Sequence, residues 1–298
     1  MSQQNASATP RWLDPQLYPF SPNYLTLDAG RLHYLDEGEG EVLLFVHGTP
    51  TWSFLYRQLI RSLSGHCRCI APDHLGFGRS EKPPQFSGTP QEHAQNLSAL
   101  IRHLDLRDIT LVVHDFGGPI GLGAGLENAD RIKRVVLFNS WLWATEQDPG
   151  AQKVDRFVRG WLGKMLYLNF NLSARLLIPQ GFENRSKLTP QVHQHYRRPF
   201  ASRQERWGPL RLAQALVGAS DWYQQQWERL DRLADRPWLI LWGLRDQFLG
   251  PEYLDRWRAR LPEAQVQTWD CGHFVPDEQA TASTAAIEAF LERGTHRF

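Results

Sequence analysis

Short apolar runs punctuate this chain: EVLLFV (41–46), CRCIAP (67–72), ITLVVH (109–114), IKRVVLF (132–138), PWLILW (237–242) and AQVQTW (264–269). Each has the length of a buried strand, and most are separated by segments long enough for a helix. Strands alternating with helices predict a mainly parallel sheet covered on both faces, joined by right-handed crossovers. Ahead of these runs, NYLTLDAGRLHYLD (23–36) alternates on either side of Asp28-Ala29-Gly30, a turn signal, and reads as an antiparallel hairpin at a sheet edge. Two hairpin strands and six runs make an eight-stranded sheet. Ligands of such sheets bind at the carboxyl ends of the strands.

The alternation stops between Phe138 and Pro237, where the chain is rich in Trp, Arg, Gln and Leu. AQKVDRFVRGWLG (151–163) and PLRLAQALV (209–217) space apolar residues three and four apart, as amphipathic helices do. An inserted helical cap is therefore expected. It divides the chain into a first core part, 1–143, a cap, 144–228, and a second core part, 229–298.

The bulk numbers narrow the partners. With 298 residues and 42% hydrophobic content the chain can bury a sizeable core, and its net charge of +1 leaves no basic stripe for nucleic acid. Cys67, Cys69 and Cys271 form neither a CxxC pair nor a Cys/His array, so no disulfide framework, metal site or cofactor is indicated. The opening MSQQNASATPRW lacks a cationic start followed by an apolar stretch, and no run approaches the ~20 apolar residues of a membrane span. A soluble, cytoplasmic protein with no membrane partner is expected; oligomeric state is not readable.

Candidate chemistry gathers at strand ends. VVHDFGG (112–118) puts Asp115 where a strand would bend sharply into a helix, and resembles the nucleophile elbow of the α/β-hydrolases with Asp in place of Ser. A carboxylate is anionic at neutral pH and can displace a leaving group from carbon without prior deprotonation. LWGLRD (241–246) ends the next-to-last run with Asp246, and DCGHF (270–274) ends the last with His273. Alone, Asp246 reads equally as a cap for a helix starting near Pro251, and His273 as a satisfied loop histidine. Together they follow the chain order nucleophile, acid, histidine of that fold. Asn139, after the fourth run, is neutral and cannot stabilise an imidazolium as a carboxylate does.

VHGTP (46–50) is a strand-ending loop. Beside an elbow it resembles the loop that supplies one oxyanion-hole amide, which assigns the donors to the backbone N–H groups of Thr49 and Phe116. His47 braces that loop, and His33 and His114 pack beside the sheet. His193 and His195 fall in a polar cap segment. PDHLGFGRS (72–80) lacks the Lys-Ser/Thr ending of a phosphate-binding loop.

The pieces HGTPTWSFLYR (47–57), PDHLGFGRSEKP (72–83), VVHDFGGPIGL (112–122), LNFNLSARLLIP (168–179), LILWGLRD (239–246) and CGHFVPDE (271–278) resemble the haloalkane dehalogenases. The resemblance implies an α/β-hydrolase fold and a small apolar organic substrate with water as co-substrate. It implies that Asp115 attacks the halogen-bearing carbon and that His273, held by Asp246, activates water against the resulting ester. Members of that family commonly hold the halide with a Trp after the nucleophile and an Asn after His-Gly. Here these positions are Phe116 and Thr49, and the indole N–H is missing. Thr49, Phe116, Trp141 and Trp143 are the candidate pocket residues, with Trp161, Trp207, Trp222 and Trp227 further along.

An epoxide hydrolase using the same aspartyl ester is the alternative. It would protonate the leaving oxygen with cap tyrosines, for which Tyr167, Tyr196 and Tyr223 are available. Fluoroacetate-type dehalogenases place an arginine after the nucleophile, and Phe116 stands there instead. A binding or receptor-like homologue with little turnover is the alternative of another class.

Overall fold

A computed structural model of the protein describes residues 10–293. Its strands are β1 (Asn23–Leu27), β2 (Gly30–Glu37), β3 (Glu41–Val46), β4 (Cys67–Pro72), β5 (Ile109–Val113), β6 (Ile132–Phe138), β7 (Trp238–Gly243) and β8 (Gln265–Trp269). They form one eight-stranded sheet in the order β1-β2-β4-β3-β5-β6-β7-β8. The β1–β2 and β2–β4 pairs are antiparallel, and every later pair is parallel. The hairpin lies at the edge, as its alternation predicts.

The central strands are apolar on both sides because each side meets a layer of helices. Leu44, Val46, Leu111, Val113, Val135 and Leu137 face the helices Pro90–His103, Gly117–Glu127 and Pro251–Arg260. Leu43, Phe45, Val112, Val136 and Phe138 face Arg57–Leu63 and Ala280–Arg293. Full burial of each such side chain is worth roughly 1.5–3 kcal/mol, so this alternation fixes both register and layering.

Among the described residues, the chain between β6 and β7 is helices and turns. The continuous helix expected over 151–163 is instead two. Asp148 caps the first, accepting from the Ala151 N–H at 2.7 Å, and the helix Pro149–Arg159 ends at Gly160. Gly160 takes an extended backbone (φ −67°, ψ 156°) and starts the second helix, Trp161–Phe170. Glycine's low helix propensity makes it the natural break. The second expected helix is present as Trp207–Gly218.

His195, within its polar segment, is buried. It is 2% exposed, stacks on Phe54 at 4.8 Å, and accepts the Asp14 N–H at 3.0 Å. The glycine-punctuated loop after β4 is organised by Asp73, which binds the His33 ring at 2.8 Å and the amides of Ser53 and Arg79, each at 2.8 Å.

His47 does brace its loop: its Nε2 accepts from the His74 N–H at 3.0 Å, and its ring lies 4.3 Å from that of His74. His93 follows at 4.9 Å from His74, against Phe86. Burial keeps these rings neutral and pushes His93 down to about 3. The unfolded chain therefore binds more protons than the fold below pH ~6.5, and stability falls as pH drops from there toward 3. The unfolding midpoint is expected to decrease between pH 7 and pH 5, and His93→Phe should lessen that decrease. A midpoint with the same pH dependence in wild type and variant would contradict this.

Candidate active site

Asp115 sits between β5 and the helix Gly117–Glu127 with φ 53°, a left-handed conformation that costs a non-glycine residue about 1–2 kcal/mol. The bend is held on both sides. The Asp115 N–H donates to the Asn139 carbonyl at 2.9 Å, and the Ser140 hydroxyl donates to the Asp115 carbonyl at 2.6 Å. A Cβ on Gly117 would overlap the Val46 carbonyl oxygen, so the turn needs glycine there.

The carboxylate is lifted toward the carboxyl ends of β3 and β8. Its Oδ1 accepts the Thr49 N–H at 2.7 Å, across a cis Thr49–Pro50 loop, and its Oδ2 lies 3.6 Å from His273 Nε2. Phe116 is the N-cap of the following helix, so its N–H belongs to the group of amides without an intrahelical acceptor.

His273 Nδ1 is 2.7 Å from Asp246 Oδ2. Asp246 is no helix cap: its Oδ1 accepts the Phe248 and Leu249 N–H groups at 2.7 and 3.1 Å, while Gly250 caps the helix Pro251–Arg260. Asn139 completes the shell. Its amide donates to Asp246 Oδ2 at 2.7 Å and to the Gly243 carbonyl at 3.1 Å, and its oxygen accepts the Gly243 N–H at 2.8 Å. Asn139 is not a substitute for the acid; it is a hydrogen-bond partner of the acid that is there. His114 Nε2 meets the His273 carbonyl at 2.9 Å and supports the histidine loop from below.

Charge balance follows from this geometry. Burial alone would lower His273, but Asp246 and Asp115 outweigh it and raise the imidazole to about 10. Burial would raise Asp246, yet His273 and the Phe248 and Leu249 amides hold it below its ordinary value. The two carboxylates beside it thus favour the protonated imidazole at His273.

Asp115, Thr49, Phe116, Trp141, Asp246 and His273 all line one cavity of about 550 Å³, whose walls also include Tyr167, Leu177, Ala213, Leu216 and Phe274. Trp141 is 1% exposed, and its Nε1 has no hydrogen-bond partner; the Thr49 Oγ1 is likewise buried and unpaired. A buried donor without an acceptor costs about 1–3 kcal/mol, which a bound ligand would recover. The Trp141 ring meets Phe116 edge-on at 4.8 Å. Tyr167 brings the only phenol in the wall besides Tyr253.

Trp143 does not line this cavity. It packs on Trp227, Tyr253 and Trp257 under the Arg256 guanidinium, because it points to the opposite side of the loop from Trp141. Trp222 and Trp227 are half-buried against the core, Trp161 is 77% exposed, and Trp207 is also exposed. Tyr196 donates to Asp277 at 2.7 Å and Tyr223 to the Ala215 carbonyl at 3.0 Å, so neither hydroxyl is offered to Asp115. Among the described residues no group of three or more His, Cys, Asp or Glu could hold a metal ion.

Residues 41–280 match the model of the α/β hydrolase fold. Haloalkane dehalogenase 2 of Mycobacterium tuberculosis is 35% identical over 278 residues, covering 92% of this chain and 96% of that protein. The chain belongs to the haloalkane dehalogenase family. Another relative of this family member, the cis-3-alkyl-4-alkyloxetan-2-one decarboxylase of Shewanella oneidensis, is 34% identical over 92% of this chain and 89% of its own. The crystal structure of the haloalkane dehalogenase DatA from Agrobacterium tumefaciens C58 superposes with a TM-score of 0.82 at 26% identity, covering 92% of this chain and 96% of DatA. This haloalkane dehalogenase-like hydrolase thus shares the fold across nearly its whole length.

The shell around the acid gives a direct test. Asn139→Ala removes the donor to Asp246 Oδ2, the acceptor of the Gly243 N–H and one of the donors to the Gly243 carbonyl. It should lower kcat by roughly tenfold or more, as loss of an orienting partner does, with little change in KM. An unchanged kcat would show that Asp246 is held well enough by the Phe248 and Leu249 amides alone.

Proposed function

We propose that this protein displaces a leaving group from an alkyl carbon through an aspartyl ester, with halide as the leaving group, and that residues 144–228 act as the cap over the reaction. The observation that carries the reading is the convergence of Asp115 and His273 on one apolar cavity whose wall includes Trp141, an indole with a buried, unpaired N–H. Asp115 Oδ attacks carbon in line, the carbon–halogen bond breaks, and halide leaves with the bonding pair. Trp141 Nε1–H takes the role that a tryptophan after the nucleophile would have, helped by the Thr49 hydroxyl. Phe116 sets the Trp141 ring edge-on rather than donating itself.

Ester formation cancels the charge on Asp115. One of the two anions that hold the proton on His273 is then gone, and the imidazole loses its proton more readily. Neutral His273, steadied by Asp246, draws a proton from water as its oxygen adds to the ester carbonyl. The Thr49 and Phe116 amides stabilise the oxyanion; its collapse breaks the bond to the alkyl oxygen, which takes the proton of the added hydroxyl and leaves as alcohol, while Asp115 returns as carboxylate and His273 keeps the proton drawn from water.

A second reading keeps the ester but changes the leaving atom to the oxygen of a strained ring. It is supported by Tyr167, a buried phenol in the cavity wall, and by the likeness to a protein named for an oxetanone substrate. The paired-tyrosine form of an epoxide hydrolase has less support, since Tyr196 and Tyr223 are engaged elsewhere. A binding protein without turnover has no need of the acid–imidazole–carboxylate spacing found here.

A panel of bromo- and chloroalkanes beside epoxides and simple oxetanones tests both readings. Halide release is expected, lost in Asp115→Ala and reduced on the order of 100-fold in Trp141→Phe. Halide release that persists in Asp115→Ala would overturn the mechanism, and ring opening without halide release would transfer the assignment to the second reading. The pH dependence is signed: because hydrolysis needs neutral His273, the alkyl-enzyme should accumulate more at pH 6 than at pH 9 in rapid-quench mass spectra. Equal accumulation at both would show that His273 is not the base.

A further inference from the structure

The segment between β6 and β7 carries a surface that the chemistry above does not use. The helix Trp161–Phe170 turns Gly163, Tyr167 and Leu168 inward. Leu162, Leu166 and Phe170, four residues apart, lie on its other face, and Leu162 and Phe170 are 45% and 55% exposed. The preceding helix adds Val154 and Phe157 at a three-residue interval, and Trp161, four residues beyond Phe157, is 77% exposed. Leu176 projects just after. Val154 also lines the catalytic cavity, so this apolar face is continuous with the cavity mouth.

Its charge is as one-sided as its hydropathy. Residues 150–180 hold five basic side chains, Lys153, Arg156, Arg159, Lys164 and Arg175, all exposed, against the single acid Asp155, in a chain whose net charge is only +1. Asp155 is already paired with Arg159 at 2.7 Å. Beside Phe170 and Leu176 lies a concavity of about 380 Å³ walled by Asn171, Arg175, Gln194, Arg197, Arg198 and Arg206, with no carboxylate in its lining. Arg197 Nε is buried there without a partner. Burial and the neighbouring Arg175 and Arg198 hold Arg197 below its ordinary value, the signature of cations gathered without a counter-ion.

We propose that this face docks on an anionic phospholipid surface, with Phe157, Trp161, Leu162 and Phe170 entering the interface and the Arg175–Arg197–Arg198 concavity taking a headgroup phosphate. A helix with an apolar outer face flanked by Lys and Arg lies in the plane of such a surface, and each basic residue adds electrostatic attraction. Among the described residues no helix is long and apolar enough to cross a membrane, so the contact is peripheral. Docked this way, the mouth at Val154 opens toward the lipid, where apolar substrates partition. Arginine's planar donors suit phosphate, whereas a second copy of this positively charged face would repel it.

Sedimentation with vesicles of phosphatidylglycerol and phosphatidylcholine in equal parts, against phosphatidylcholine alone, tests this with the full chain. Binding is expected at least about tenfold tighter to the anionic vesicles and weaker at high salt. Arg175→Glu with Arg198→Glu, and separately Trp161→Ser with Phe170→Ser, should each reduce it by about tenfold while turnover of a water-soluble substrate stays unchanged. Tryptophan emission should shift to the blue on binding, and Trp161→Phe should remove that shift. Equal or absent binding to the two vesicle types, or variants that bind like wild type, would overturn the proposal. So would a dimer dissolved by Trp161→Ser, or inorganic phosphate binding the arginine concavity with no vesicle association.

Discussion

One imidazole between two carboxylates governs this molecule. His273 touches Asp246 on one nitrogen and faces Asp115 on the other, and the three residues come from the ends of β8, β7 and β5. Burying three ionised groups is costly unless each is paired or hydrogen-bonded. The fold supplies those partners: the Thr49 amide for Asp115, the Phe248 and Leu249 amides and the Asn139 side chain for Asp246, and a carbonyl contact from His114 behind the histidine loop. The strained backbone at Asp115 is tolerable because Ser140 and Asn139 clamp it from the neighbouring strand end.

That arrangement separates two questions that the family resemblance joins. In the proposed mechanism the acid–imidazole–carboxylate line makes and clears the ester. Under the proposed mechanism, what departs from carbon depends on the cavity wall that holds Phe116, Thr49 and Trp141. The Trp141 indole, with its N–H unpaired, comes from a different strand end, and Tyr167 lines the same cavity. Relatives of similar identity carry the names of a haloalkane dehalogenase and of an oxetan-2-one decarboxylase.

Much of the fold was legible because strands buried on both faces produce unbroken apolar runs whose ends are marked by Gly, Asp or His. EVLLFV, CRCIAP and IKRVVLF became strands with the bounds read from the chain. The helix over 151–163 was misread because a periodic pattern passes through Gly160 unchanged, while the backbone does not. Asp115, Asp246 and His273 stand out in the chain by their places after strands, and the fold brings the three together. Trp141 and Trp143 were not separable: two residues apart in one loop, they differ only in which way the chain turns, one toward Asp115 and one toward Trp257. The role of Asn139 was hidden because its partners, Gly243 and Asp246, are over a hundred residues away.

The central claim is that Asp115 becomes covalently attached to substrate carbon and that His273 clears it. Replacing His273 with Gln keeps a polar side chain beside Asp246 but removes the base. After reaction of that variant with a bromoalkane, mass spectrometry of its peptides tests the claim most directly. The account predicts the mass of one alkyl group on the peptide that contains Asp115. Released halide with every peptide unmodified would contradict it.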